Sequence, residues 1–328
     1  MRRINAGQVK GNTGLALVLL ALLPSLLLWG CGQRIGKPEE TKGGGLSIPN
    51  TYVLTYEWPN FPGVTDIIVT EGGYVYVAQE SSVVAGYTTF SGQRHPLIRD
   101  LTGLLKPVYI AEGVNEEIYV ADLGDMAVKR FGRSGGAPIQ VIKDTTWTQL
   151  GGIAVDDQGF LYVADRQKVQ IWKYRPSGQR DSSLFDPNLD TPPGLLSEEG
   201  TGSGYLGRPA GMAFNGTYIL VADDLRNVVK KLVKDQVAIA TVVVTGPLPP
   251  ELPLKEPMDC DTDEDGNIYV ADTGNNRVLR FDGTGGSIKT VTLDPATTIG
   301  PPSAVAARDK WVYVADPEHN RILIYELR

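Results

Sequence analysis

One tetrapeptide recurs along the chain. It reads Tyr119-Val120-Ala121-Asp122, Tyr162-Val163-Ala164-Asp165, Tyr269-Val270-Ala271-Asp272 and Tyr313-Val314-Ala315-Asp316, with worn copies at Tyr76-Val77-Ala78-Gln79 and Leu220-Val221-Ala222-Asp223. The last residues fall at 79, 122, 165, 223, 272 and 316, in steps of 43, 43, 58, 49 and 44. Runs such as Ile268-Tyr269-Val270-Ala271 are β-branched and aromatic and only four to six residues long, so they read as strands. They lack polar alternation, which marks a strand buried on both faces. Short strands at a period near 45 residues predict an all-β, six-bladed β-propeller of four-stranded antiparallel blades.

The fifth copy sets the frame. Pro257–Asp263 is expected as the inner strand, Asn267–Asp272 as the second, Arg277–Asp282 as the third and Ser287–Leu293 as the outer. In the first copy the outer strand is expected near His95–Leu101. The second copy has Met126-Ala127 where the fifth has Asn276-Arg277, and the third reads as having a turn two residues shorter. The sixth copy ends at Arg328 after three strands, while Tyr52–Trp58 stands unclaimed at the domain start. The N-terminal strand is therefore expected to close the last blade, which removes the open end of the ring.

The unit Asp265-Gly266-Asn267 through Asp272-Thr273-Gly274-Asn275-Asn276-Arg277-Val278-Leu279-Arg280-Phe281 resembles the NHL repeat. The lead-in Gly200–Gly211 and the stretch Ala315–Ile322 resemble the same family. The resemblance covers residues 51–328 and implies a six-bladed propeller. It implies no single activity, since the family includes binding modules, sensor domains and lyases.

Residues 1–31 differ in kind. Arg2, Arg3 and Lys10 precede an apolar run from Leu15 to Leu28, which is short for a membrane span and suited to a secretory signal. Leu28-Trp29-Gly30-Cys31 resembles the lipobox of bacterial lipoproteins, which implies cleavage before Cys31 and a lipid on its thiol. Residues 32–50 then form a polar tether spanning roughly 25 Å as a random chain. The expected location is the cell envelope, extracytoplasmic and lipid-anchored. Gly32 after the Cys favours the outer membrane over the inner where the host has both.

The precursor carries −7; the signal removes three basic residues and no acidic one, leaving −10. An acidic body argues against nucleic acid as a partner and gives the folded domain no affinity of its own for an anionic membrane. With Cys31 lipidated, Cys260 stands alone; in Met258-Asp259-Cys260-Asp261, at an inner-strand position, it suits a small core residue rather than a nucleophile.

Strand order puts the turns after each Val-Ala-Asp on one face, together with the links between blades. That face carries Asp122, Asp165, Asp223, Asp272 and Asp316. The 58-residue step adds the insertion 187–199, with Leu195 and Glu198, to the same face, which is expected to point away from the membrane. These residues are the candidate binding positions, because loops on a rigid scaffold carry function. For the five Asp, holding turn amides and neighbouring Arg is the favoured role.

Asp261, Asp263 and Asp265, with Asp272 twelfth, mimic a calcium loop. An acidic hairpin turn is favoured over calcium, since Asp156-Asp157-Gln158-Gly159 fills the same turn with fewer acids. The sequence holds only His95 and His319, with no Ser/His/Asp set, phosphate loop or metal-spaced Cys pair, so no catalytic residue, metal or other cofactor is assigned. The expected function is a binding or scaffold propeller for an unidentified protein, peptide or glycan. The alternative is a metal-dependent hydrolase or lyase, resembling lactonase-type and amidating-lyase propellers.

Overall fold

The computed structural model describes residues 51–80, 84–88, 91–181, 195–197, 206–234, 239–242, 253–283, 288–291 and 298–328. Strand β1 (Tyr52–Pro59) leads in. Blade one holds β2 (Val64–Val69), β3 (Tyr74–Gln79) and β4 (Val84–Thr88). Blade two holds β5 (Pro107–Glu112), β6 (Ile118–Asp122), β7 (Ala127–Phe131) and β8 (Gln140–Lys143). Blade three holds β9 (Leu150–Val155), β10 (Leu161–Asp165), β11 (Gln170–Tyr174) and β12 (Leu195–Ser197). Blade four holds β13 (Pro209–Phe214), β14 (Tyr218–Asp223), β15 (Val228–Val233) and β16 (Ile239–Val242). Blade five holds β17 (Asp259–Thr262), β18 (Ile268–Asp272), β19 (Arg277–Phe281) and β20 (Ile288–Thr290). Blade six holds β21 (Ala304–Arg308), β22 (Trp311–Asp316) and β23 (Arg321–Leu327).

The ring closes as the sequence predicts. β1 pairs antiparallel with β23 from Tyr52↔Leu327 to Pro59↔Arg321 and becomes the fourth strand of blade six. Thr51 and Arg328 exchange backbone hydrogen bonds of 3.1 and 2.9 Å. Each inner strand neighbours the next, and β2 returns to β21.

Two local expectations need correction. The outer strand of blade one does not form as a continuous strand at His95–Leu101: only the bridges Tyr87↔Arg94 and Val84↔Leu101 hold that segment to β4. Pro96 supplies no N–H there, and Ile98 N instead turns back to His95 O at 3.3 Å. The turn after Asp165 is not shorter but as long as the one after Asp272, with β11 starting at Gln170 and β19 at Arg277. Val169 reads as a strand residue but sits in the turn at φ +58°, matching Met126, Asn227, Asn276 and Asn320 at the same step of their blades. That left-handed conformation favours Asn and is costly for a β-branched residue.

The core lies between blades, in six clusters, one per interface. This explains the recurring tetrapeptide. Tyr119 and Ala121 pack toward blade three while Val120 packs toward blade one. Tyr162 and Ala164 pack toward blade four and Val163 toward blade two. A period of two persists, but both faces meet a neighbouring blade, so no polar residue appears. Each such Val is worth about 1.5–3 kcal/mol buried. Inner strands approach so closely that a Cβ on Gly152 would stand 2.3 Å from Ala210 O, which only glycine permits.

Candidate functional site

The second strands run toward the face where the repeated Asp residues lie. All five of these carboxylates are buried, and each serves its own blade. Asp122 accepts hydrogen bonds from Leu105 N (2.8 Å), Lys106 N (2.7 Å), Gly124 N (3.1 Å) and Lys129 Nζ (2.7 Å). Asp165 accepts from Thr148 N and Oγ1, Gln149 N, Gln167 N and Lys168 N. Asp223 takes Gly207 N and Arg208 N, and Asp272 takes Lys255 N and Arg277 Nε. Asp316 takes Gly300 N and Arg321 Nε, with His319 Nδ1 at 2.9 Å.

Each carboxylate thus joins the link entering its blade to the turn after its second strand. The five do not converge on a common point. Burial raises Asp122, but the Lys129 ammonium and the three amides outweigh it and hold its carboxyl below the ordinary range. The insertion 187–199 lies outside the described residues, Glu198 included, except that Leu195–Ser197 forms the outer strand of blade three, opposite Trp172 and Ile171.

The opposite face carries the hairpin turns between inner and second strands, and there the inner strands flare around a cavity of about 750 Å³. All six blades line it. Ile68, Ile110, Ile153, Val155, Met212 and Phe214 give an apolar wall. Glu71, Glu112, Asp156, Asp157, Asp261, Asp263, Glu264 and Asp265 add eight carboxylates, against one cation, Arg308. A ring of strands makes this concavity without special residues, because hairpin turns splay outward from the axis.

Several of these acids are spent within the fold. Asp156 caps its turn through Gln158 N and Phe160 N and accepts from Tyr162 Oη at 2.9 Å. Asp263 does the same for Asn267 and Tyr269. Asp157 pairs with Lys234 at 2.7 Å, and Glu264 pairs with Arg308 at 3.2 Å. Glu112 differs: both its oxygens accept from Glu71 N, at 2.9 and 2.8 Å, and no cation lies in ion-pair distance among the described residues. Burial pushes its carboxyl up to about 7; Arg308 at longer range opposes this, and Glu71 and Glu116 add to it.

Deeper on the axis the cavity narrows to a space of about 30 Å³ lined by Asp66, Tyr109, Asp259 and Asp261, among others. Asp66 bridges to blade two through Ile110 N at 2.6 Å. Asp259 and Asp261 bridge to blade six through Val305 N (3.0 Å) and Ala307 N (2.8 Å). Burial pushes Asp66 up to about 7 and Asp261 up to about 6, and raises Asp259 as well, with Asp66 adding to it.

Asp261 and Asp263, two of the calcium candidates, therefore bond a neighbouring blade and a turn, while Asp265 sits exposed at the turn tip. Among the described residues no three His, Cys, Asp or Glu side chains are gathered to hold a metal ion. Cys260 is buried between the axial carboxyls, and burial raises its thiol further. The hairpin-face cavity was missed from the sequence because its walls come from six turns of unlike sequence. The usable signal was an acid at or just past the end of most inner strands.

The NHL repeat model matches residues 261–281. No curated protein matches the chain. Virginiamycin B lyase from Staphylococcus aureus is similar in structure, at 14% identity and TM-score 0.57, over 84% of this chain and 100% of that one. A chain of the nidogen/laminin complex is similar at 16% identity and TM-score 0.61, over 77% and 89%. A protein of unknown function from Bacteroides thetaiotaomicron is similar at 18% identity and TM-score 0.61, over 81% and 70%. At such identities the likeness is one of fold. The strand order and the blade-to-blade core agree with these likenesses: the chain is a six-bladed β-propeller that carries an NHL repeat in its fifth blade.

Proposed function

We propose that this propeller is a lipid-anchored, extracytoplasmic binding module whose ligand enters the axial cavity on the hairpin face. The cavity carries the reading. At about 750 Å³ it falls within the ~300–1,000 Å³ of small-ligand sites, and six blades hold it rigid. A peptide side chain, a glycan terminus or a small molecule fits a site of this kind. The anchor rests on the apolar run Leu15–Leu28 and on Cys31. Strand β1 begins on the hairpin face, with Tyr52 opposite Leu327, and in this reading the Asp face points away from the membrane.

Two experiments test this reading. Cys31→Ser should abolish labelling by an alkyne fatty acid and release the protein from membranes in cells that process signal sequences; continued labelling would contradict the anchor. Ala213→Trp, which fills the cavity from blade four, should abolish ligand-induced thermal stabilisation.

A second reading is supported by Glu112. A carboxyl pushed up to about 7 inside a cavity is suited to general acid–base chemistry. It fits a hydrolase or lyase, the class to which the structurally similar virginiamycin B lyase belongs by name. Turnover lost in Glu112→Gln with binding retained would favour this reading over pure binding.

A further inference from the structure

The cavity is amphipathic in a specific way. Its wall is aliphatic and aromatic, at Ile110, Ile153 and Phe214. Its rim holds carboxylates beyond those the fold uses. Arg308, its one cation, is already paired with Glu264. Glu71, Glu112 and Asp265 have no ion pair among the described residues, and Glu112 is half-buried. Gathered carboxylates with low-dielectric walls focus a negative potential into the concavity. An anionic ligand is repelled there. A neutral one leaves Glu112 with the Glu71 amide but no cation. A ligand with an apolar body and one positive group satisfies both wall and rim.

Resting on the reading of this cavity as the binding site, we infer that its ligand is an amphipathic cation: a primary ammonium or guanidinium on an apolar body, with Glu112 and Glu71 receiving the positive group. A lysine or arginine side chain of a peptide and a free organic amine share this chemistry.

The probe is dansylcadaverine, an aromatic body bearing a primary amine. It is titrated by fluorescence into the full chain in nanodiscs, beside its N-acetyl analogue and dansyl-aminocaproate. The amine is expected to bind at least tenfold more tightly than either analogue and to weaken with salt. Its affinity should also rise from pH 5.5 to 8 as Glu112 loses its proton. Glu71→Gln/Glu112→Gln should cost at least tenfold. Asp265→Asn, at the exposed turn tip, should cost less and guards against a folding defect. A lysine-containing peptide that competes with the probe would favour a peptide source, and a free diamine that competes alone would favour the other. Equal binding of all three dansyl compounds, blocked by Ala213→Trp, would keep the cavity as the site and overturn the cation assignment. No binding, or binding that Ala213→Trp leaves intact, would overturn the cavity reading as well.

Discussion

Lys129 Nζ lies 2.7 Å from Asp122 Oδ2, reaching it from two residues further along the third strand than Arg277 is when it meets Asp272 at 2.6 Å. Lys230 repeats the device in blade four, 3.4 Å from Asp223. Blades two and four thus lack the arginine of the repeat but keep a cation on the buried carboxylate. The pair in blade two is sealed, with Lys129 only 5% exposed and Asp122 not at all. Removing one partner of such a pair leaves an uncompensated buried charge.

Lys129→Ala should therefore destabilise the protein by about 3–5 kcal/mol in urea unfolding. Adding Ala127→Arg, which restores the arginine of blades five and six, should recover part of the loss. A cost under about 1 kcal/mol would show that the amides alone hold Asp122.

The left-handed turn position makes a second prediction. Asn276 is exposed at φ +51°, so Asn276→Val should cost about 1–2 kcal/mol, whereas Asn276→Gly should be close to neutral. Val169 is tolerated at φ +58° because it is buried against Leu206, Ile219 and neighbouring residues. Equal melting temperatures for the Val and Gly variants would contradict the assignment.

The axial acids give the protein an unusual pH profile. In the unfolded chain Asp66, Asp261 and Glu112 titrate near 4. Folded, they hold their protons to about 7, 6 and 7. A raised carboxyl contributes stability that is complete below the unfolded value and lost as pH rises through the folded one. Asp122, Asp144 and Glu326 are held low and act oppositely, losing their contribution as pH falls below about 4. Melting temperature should therefore peak near pH 5 and fall by several degrees toward pH 8, and Asp66→Asn should flatten the fall. A profile that rises from pH 5 to 8 would contradict the buried state of these acids.

Closure of the ring predicts a further loss. Trp58 on β1 is buried against Phe61, Tyr87 and Tyr313. Trp58→Ala should cost about 3–5 kcal/mol, and deleting 51–58 should lower the melting temperature sharply. An unchanged melt after the deletion would refute closure by β1.

The scaffold was legible because its signal is local and repeated. Ile268–Asp272 names its own strand, the turn that follows it and the blade period. The closure by Tyr52–Trp58 followed from one strand too few at the C-terminus. The left-handed Val169 was hidden, since a β-branched residue beside a strand reads as part of it. Lys129 and Lys230 were hidden too, because a cation two residues out of place matches no motif. The cavity was least legible. Glu71 and Glu112 meet only when the ring brings two inner strands side by side, 41 residues apart in sequence. No single blade carries that neighbourhood.

The central claim is that ligand enters on the hairpin face. It is tested most directly by placing a photoreactive benzoylphenylalanine at Phe214 in the cavity wall, or at Leu225 on the Asp face, in cells. After irradiation, intact mass is read for both proteins. A discrete adduct at 214, absent at 225 and lost in Glu71→Gln/Glu112→Gln, is the predicted result. An adduct at 225 alone, or none at 214, would contradict it, while one at 214 that survives the double substitution would overturn only the cation assignment.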